Sequence, residues 1–154
     1  MEPFGCYVHI PFCAARCDYC TFATWTDRGA LVERYLRACR RQVELEVAGG
    51  LPPVTSVFVG GGTPSLVPAE SLLAVLEPLP LAAGAEVTVE CNPDTVTADL
   101  LGAYVDGGVN RVSLGVQSLV PGVLEALGRT HDPTNVRRAV DLVVAAGFSD
   151  WNLD

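Results

Sequence analysis

Short apolar runs rich in β-formers alternate with amphipathic helical stretches along the whole chain. This order constrains the fold strongly, because a strand–helix–strand unit brings each strand back parallel to the last. Strands are predicted at Cys6–Ile10, Ser56–Val59, Glu86–Cys91 and Arg111–Val116, with a fifth beginning at Trp151. A helix over Ala30–Val47 sets Val32, Leu36, Cys39, Val43 and Val47 on one face, and Gly49-Gly50 closes it. The next starts near Pro68, a good first-turn residue, with Leu72, Val75, Leu76 and Leu79 to one side. Thr97 is placed to cap a third, with Leu100, Leu101 and Tyr104 inward and Gly107-Gly108 at its end. A short helix near Gly122–Leu127 stops at Gly128. In the last helix Asp132 caps, Pro133 opens, and Val136, Val140, Val143 and Val144 pack.

A parallel βα repeat can build an open doubly wound sheet or a barrel. The strand ends favour a barrel. They lead to Cys13, to Gly61-Gly62-Thr63, to Glu90 and Asn92, to Gln117 and to Asp154. A barrel gathers such ends round one mouth, whereas an open sheet spreads them along an edge. Five strands cannot close an eight-stranded barrel, and the fifth has barely begun. The expectation is an α/β parallel partial barrel of TIM type, truncated after the start of its fifth strand. Residues 1–154 would form the N-terminal part of a larger domain, with a C-terminal domain absent.

Chemistry is concentrated in Cys13-Ala14-Ala15-Arg16-Cys17-Asp18-Tyr19-Cys20, a C-x3-C-x2-C run on one short loop. Three thiolates can hold three corners of a cubane iron–sulfur cluster, which leaves the fourth iron open to a small molecule. A zinc site is the rival, with His9 as the nearest candidate for a fourth ligand. Cys6 and Cys39 read as buried core thiols.

The remaining composition excludes several classes. A formal charge of −8 makes sequence-independent nucleic-acid binding a poor fit. The N-terminus lacks the basic and apolar regions of a secretory signal, and no apolar run is long enough to span a bilayer. With cysteines clustered in a metal-site pattern rather than a disulfide framework, a cytoplasmic location is expected.

Other residues are candidates by position. Gly60-Gly61-Gly62-Thr63 follows a strand, so a ligand can approach the backbone closely and meet free N–H groups. The plain alternative is a tight βα turn. Glu90 and Gln117 end apolar strands and belong either to the mouth or to a solvated rim. Arg129 and His131 precede a helix cap, where a solvated loop is the plain reading, and for His131 the favoured one. Tyr7 and His9 alternate along the first strand, where packing or hydrogen bonding would explain either.

Six ordered motifs then match one family: Tyr7-Val-His-Ile-Pro-Phe-Cys13 with its two further cysteines, Phe58-Val-Gly-Gly-Gly-Thr-Pro-Ser65, Val89-Glu-Cys-Asn-Pro93, Asn110-Arg-Val-Ser-Leu-Gly-Val-Gln-Ser118, Leu127-Gly-Arg-Thr-His131 and Asn152-Leu-Asp154. Together they resemble the radical S-adenosylmethionine (SAM) proteins of the oxygen-independent coproporphyrinogen III oxidase group, from Tyr7 to Asp154. The true oxidases carry a fourth cysteine two positions after the third. The heme-chaperone branch, HemW-like proteins, carries phenylalanine there, and this chain has Phe22.

The resemblance implies a [4Fe-4S] cluster on Cys13, Cys17 and Cys20, with SAM chelating the open iron. It implies SAM contacts from Tyr7, Tyr19, Gly61, Gly62, Thr63, Glu90, Gln117, Arg129 and Asp154. Tyr19 would pack near the adenine, the glycines and Thr63 would meet the methionine end, and Arg129 would pair with the SAM carboxylate. It further implies heme as cargo, passed to a hemoprotein acceptor. The alternative it carries is a radical SAM oxidoreductase of porphyrin biosynthesis. His9 and His131 are candidate heme ligands by chemistry alone.

Overall fold

A computed structural model describes residues 2–129 and 132–154. The sheet consists of β1 (Gly5–Ile10), β2 (Val54–Gly61), β3 (Leu81–Cys91), β4 (Arg111–Leu114) and β5 (Asp150–Leu153). The helices are α1 (Val32–Ala48), α2 (Ala69–Leu76), α3 (Ala98–Asp106), α4 (Pro121–Ala126) and α5 (Pro133–Ala145). The strands lie in sequence order, and every neighbouring pair is parallel.

That order fixes the architecture. Right-handed crossovers that always step in one direction put every helix on the same face of the sheet. A doubly wound sheet reverses direction and carries helices on both faces. This sheet never reverses, so it is a segment of barrel wall.

Alternation along each strand confirms the two faces. Val8, Ile10, Val57, Val59, Val87, Val89, Val112 and Leu114 are buried on the helix side. There they meet Leu36 of α1, Leu72 and Val75 of α2, Leu101 and Tyr104 of α3, and Val136, Ala139 and Val143 of α5. Burying each Leu or Val side chain contributes about 1.5–3 kcal/mol. The opposite face carries Tyr7, His9, Ser56, Phe58, Glu86, Thr88, Arg111 and Asn152, and is polar apart from its aromatic rings.

Several boundaries differ from expectation. β3 begins at Leu81, because pairing of Val54 with Leu81 recruits a stretch of low β-propensity ahead of Glu86. β4 stops at Leu114 and not Val116, since Gln117 turns the chain with φ +63°. Val144 is 57% exposed, one helical step past buried Val143, and the small Ala139 packs instead. Pro68 precedes α2 at its N-cap position. Cys6 and Cys39 are only partly buried, flanking the core, whereas Cys91 is buried within it.

Candidate functional site at the mouth of the half-barrel

Parallel strands bring their C-terminal ends to one side, and the loops there build a cavity. The cysteine loop is pinned at its root. Trp25 N–H donates to the Pro11 carbonyl at 2.8 Å and Cys13 N–H to the Trp25 carbonyl at 3.1 Å. Phe12 between them is buried edge-on against Tyr35 of α1, centroids 5.5 Å apart. Farther out, Cys20 N–H turns back to the Cys17 carbonyl, and Asp18 N–H bonds the Leu127 carbonyl, both at 3.1 Å.

The three thiols are partly buried and feel one another. Burial pushes the Cys13 thiol up, the hydroxyls of Thr63 and Thr24 pull it back, and negative charge on Cys20 and Cys17 raises it again. Thr24 Oγ1 is buried and, the Cys13 thiol apart, has no hydrogen-bond partner among the described residues. No three His, Cys, Asp or Glu side chains among the described residues converge tightly enough to share a single metal ion. Thiolates that each take a different iron of a cubane stand farther apart than those sharing one ion, so this spread is compatible with a cluster. His9 is committed elsewhere: Nε2 pairs with the Ala23 carbonyl at 2.9 Å and Nδ1 with the Tyr7 hydroxyl at 3.1 Å. It is not placed to complete a zinc site. His131 lies outside the described residues.

The glycine strip corrects one expectation. Its N–H groups are not free. Gly61 N–H donates to Glu90 Oε2 at 3.0 Å. Gly62 N–H donates to the Ile10 carbonyl at 2.7 Å, and Thr63 N–H to the Phe12 carbonyl at 2.8 Å, extending the parallel ladder of β1 and β2 beyond the strands. The glycines matter instead for close approach. A Cβ on Gly62 would stand 2.6 Å from the Phe12 carbonyl oxygen and 3.0 Å from Cys13 Sγ. Gly61, at φ +112°, lies against His9 and the Tyr7 hydroxyl.

The other candidates surround the same cavity. Glu90 is held up from its ordinary range, first by burial and then by the charge of Asp154, against the downward pull of Gly61 N–H. Gln117 lies in the left-handed region, costly for a residue with a side chain, and its N–H donates to the Asp154 carbonyl at 2.6 Å. Arg129 spans the mouth: Nη1 is 3.2 Å from the Tyr19 hydroxyl and 3.9 Å from Cys17 Sγ, and Nη2 donates to the Gly115 carbonyl at 2.5 Å.

Cys13, Cys17, Cys20, Tyr19, Gly61, Gly62, Thr63, Glu90, Gln117, Arg129 and Asp154 all line this one cavity. Tyr7 does not. Its ring stacks on Phe58 on the open face, centroids 6.3 Å apart, and its hydroxyl sits beneath Gly61. Phe22 lines the cavity, 57% exposed. Thr24 and Gly115 line the cavity as well, without a signal in the sequence to mark them. No motif marks Thr24, and Gly115 acts through a carbonyl, which any residue type would supply.

A parallel half-barrel with a three-thiol loop at its mouth is the arrangement of a radical SAM core. The radical SAM superfamily model matches residues 7–154, and the chain belongs to that superfamily. Membership implies a [4Fe-4S] cluster and SAM, and the donor set here fits them: three partly buried thiols, a buried hydroxyl whose one partner is the Cys13 thiol, and a glycine cradle against the same sulfur. Heme chaperone HemW of Mycobacterium tuberculosis is 42% identical over 99% of this chain and 41% of its own length. Heme chaperone HemW of Escherichia coli is 39% identical over 100% and 42%. The structure of Escherichia coli coproporphyrinogen III oxidase (HemN), a radical SAM enzyme, matches with a TM-score of 0.85 at 27% identity, over 99% of this chain and 36% of that one. The chain therefore spans about two fifths of the length of the curated relatives it matches. No described helix is long and apolar enough to cross a membrane.

Proposed function

We propose that this chain is the cluster- and SAM-binding part of a heme chaperone that delivers heme to an acceptor protein in the cytoplasm. The observation that carries the reading is the 42% identity to a heme chaperone across 99% of the chain. Phe22 supports it, standing where the oxidase pattern has a fourth cysteine.

Cys13, Cys17 and Cys20 would hold the cluster, which when bound supplies one electron for reductive cleavage of SAM. Arg129 would pair with the SAM carboxylate, and its contacts to Tyr19 and Gly115 already aim it across the mouth. Glu90 and Asp154 would accept from amino or hydroxyl groups, and Tyr19 would pack near the adenine. Gln117 would contact SAM from the turn after β4. Gly61, Gly62 and Thr63 would meet the methionine end by close fit, since their N–H groups are committed to protein acceptors. Tyr7 would border the site from beneath Gly61.

The second reading is an oxygen-independent coproporphyrinogen III oxidase, favoured by the structural match to HemN. Incubating the anaerobically reconstituted full chain with coproporphyrinogen III and SAM separates the two. The chaperone reading expects no decarboxylated product, heme binding visible as a Soret band, and heme transfer to an apo-hemoprotein. Decarboxylation would overturn it.

A further inference from the structure

The open face of the sheet carries a run of hydrogen bonds that ends on Asp154. Arg111 Nη2 donates to Asn152 Oδ1 at 2.6 Å. The same guanidinium reaches Thr88 Oγ1 at 3.3 Å and lies 3.9 Å from Glu86 and 3.5 Å from Asp150. Arginine has donors only, so the Asn152 atom facing it is the carbonyl oxygen. The amide nitrogen is thereby turned the other way. It donates to Ser113 Oγ at 3.0 Å and to Asp154 Oδ1 at 2.5 Å. Ser113 accepts that bond, and its own proton goes to Asp154 Oδ2 at 2.8 Å. Ser113 is 4% exposed and pairs in register with Asn152 across β4 and β5. Each oxygen of Asp154 is thus held by a separate donor, with the residue at the cavity wall.

We propose that Arg111, Asn152 and Ser113 are positioning residues that fix the Asp154 carboxylate to receive a hydrogen-bond donor, hydroxyl or ammonium, of the bound SAM. Arg111 locks the amide orientation. Asn152 and Ser113 occupy the acceptor sites on the sheet side, which leaves those on the cavity side for the ligand. This rests on the reading of Asp154 as a SAM contact.

The test is SAM affinity of the cluster-reconstituted full chain, measured by equilibrium binding. Asn152→Leu is nearly isosteric and removes the donors, so it should weaken binding about tenfold, as losing one hydrogen bond to a charged group does. Asp154→Asn should weaken it as well. The double variant should be no weaker than Asp154→Asn alone, because both act through one carboxylate. Ser113→Ala should weaken binding and Ser113→Thr, which keeps the hydroxyl, should restore it. That pair carries the test if Asn152→Leu fails to fold. Additive losses, or equal losses in Ser113→Ala and Ser113→Thr, would overturn the positioning role. A parent that binds SAM with variants unaffected overturns this inference alone. A parent that binds no SAM overturns both it and the functional reading.

Discussion

Gly61 N–H and Glu90 Oε2 lie 3.0 Å apart, which ties the strip after β2 to the carboxylate at the end of β3. The bond is made in a place that disfavours charge, since burial is the main cause of the raised Glu90 pKa. A raised folded-state value means that the group's contribution to stability is full below its ordinary pKa of 4.5 and is lost as pH rises through the raised value. Glu90→Gln keeps an acceptor for Gly61 and removes the charge. The variant should be at least as stable as the parent at pH 7, with a flatter dependence of unfolding temperature on pH above 4.5. Thermal unfolding followed by circular dichroism checks this. A variant less stable at neutral pH with an unchanged slope would contradict it.

Gly62 is the tightest point between the strip and the cysteine loop. An alanine methyl there meets the Phe12 carbonyl oxygen at 2.6 Å and the Ile10 carbonyl oxygen at 2.7 Å, which are backbone atoms that cannot swing aside. Gly62→Ala should destabilise the fold by roughly 1–3 kcal/mol, as overpacking does. It should also lower iron content per chain, because Cys13 Sγ is the next atom displaced. Gly29→Ala, with nothing within 4 Å of the new methyl, is the neutral control.

Arg129 touches the cysteine loop directly, with Nη1 3.9 Å from Cys17 Sγ. With Cys17 as a cluster ligand, as proposed, positive charge and N–H donation near its sulfur would favour the reduced cluster. Arg129→Met should therefore lower the reduction potential, and Arg129→Lys should lower it less. Potentiometric titration followed by electron paramagnetic resonance reads this directly, and equal potentials in all three proteins would count against the contact.

Helix caps offer a test of the scaffold apart from the site. Thr97 Oγ1 accepts from Leu100 N–H at 3.1 Å at the start of α3. Thr97→Ala should cost about 1 kcal/mol of stability. SAM affinity should stay unchanged, since α3 lies on the helix-covered side. Chemical denaturation paired with a binding titration separates the two effects.

The residues that were legible in the sequence are those whose role depends on identity and spacing. The cysteine run, the glycine strip and the polar strand ends could be read directly; strict βα alternation implied a parallel sheet, and the chemistry at the strand ends pointed to a partial barrel. What stayed hidden depends on pairing. The extra residues of β3 are held by Val54 across the sheet, and nothing local marks Leu81 as strand. The glycine N–H groups looked available because their acceptors, Ile10, Phe12 and Glu90, come from other strands and loops. Ser113 and Asn152 are ordinary polar residues until the β4–β5 register sets them side by side. Val144 fits the helical stripe as well as Val143 does, and only packing against the sheet decides between them.

The proposed function stands on a [4Fe-4S] cluster held by Cys13, Cys17 and Cys20, with its remaining iron open to SAM. Electron paramagnetic resonance of the reduced, anaerobically reconstituted full chain, with iron, zinc and sulfide analysis of the same sample, tests it most directly. Iron and sulfide are expected in equal amounts, about four of each per chain, with a cluster signal that shifts when SAM is added. One zinc without sulfide, or a cluster signal indifferent to SAM, would contradict it.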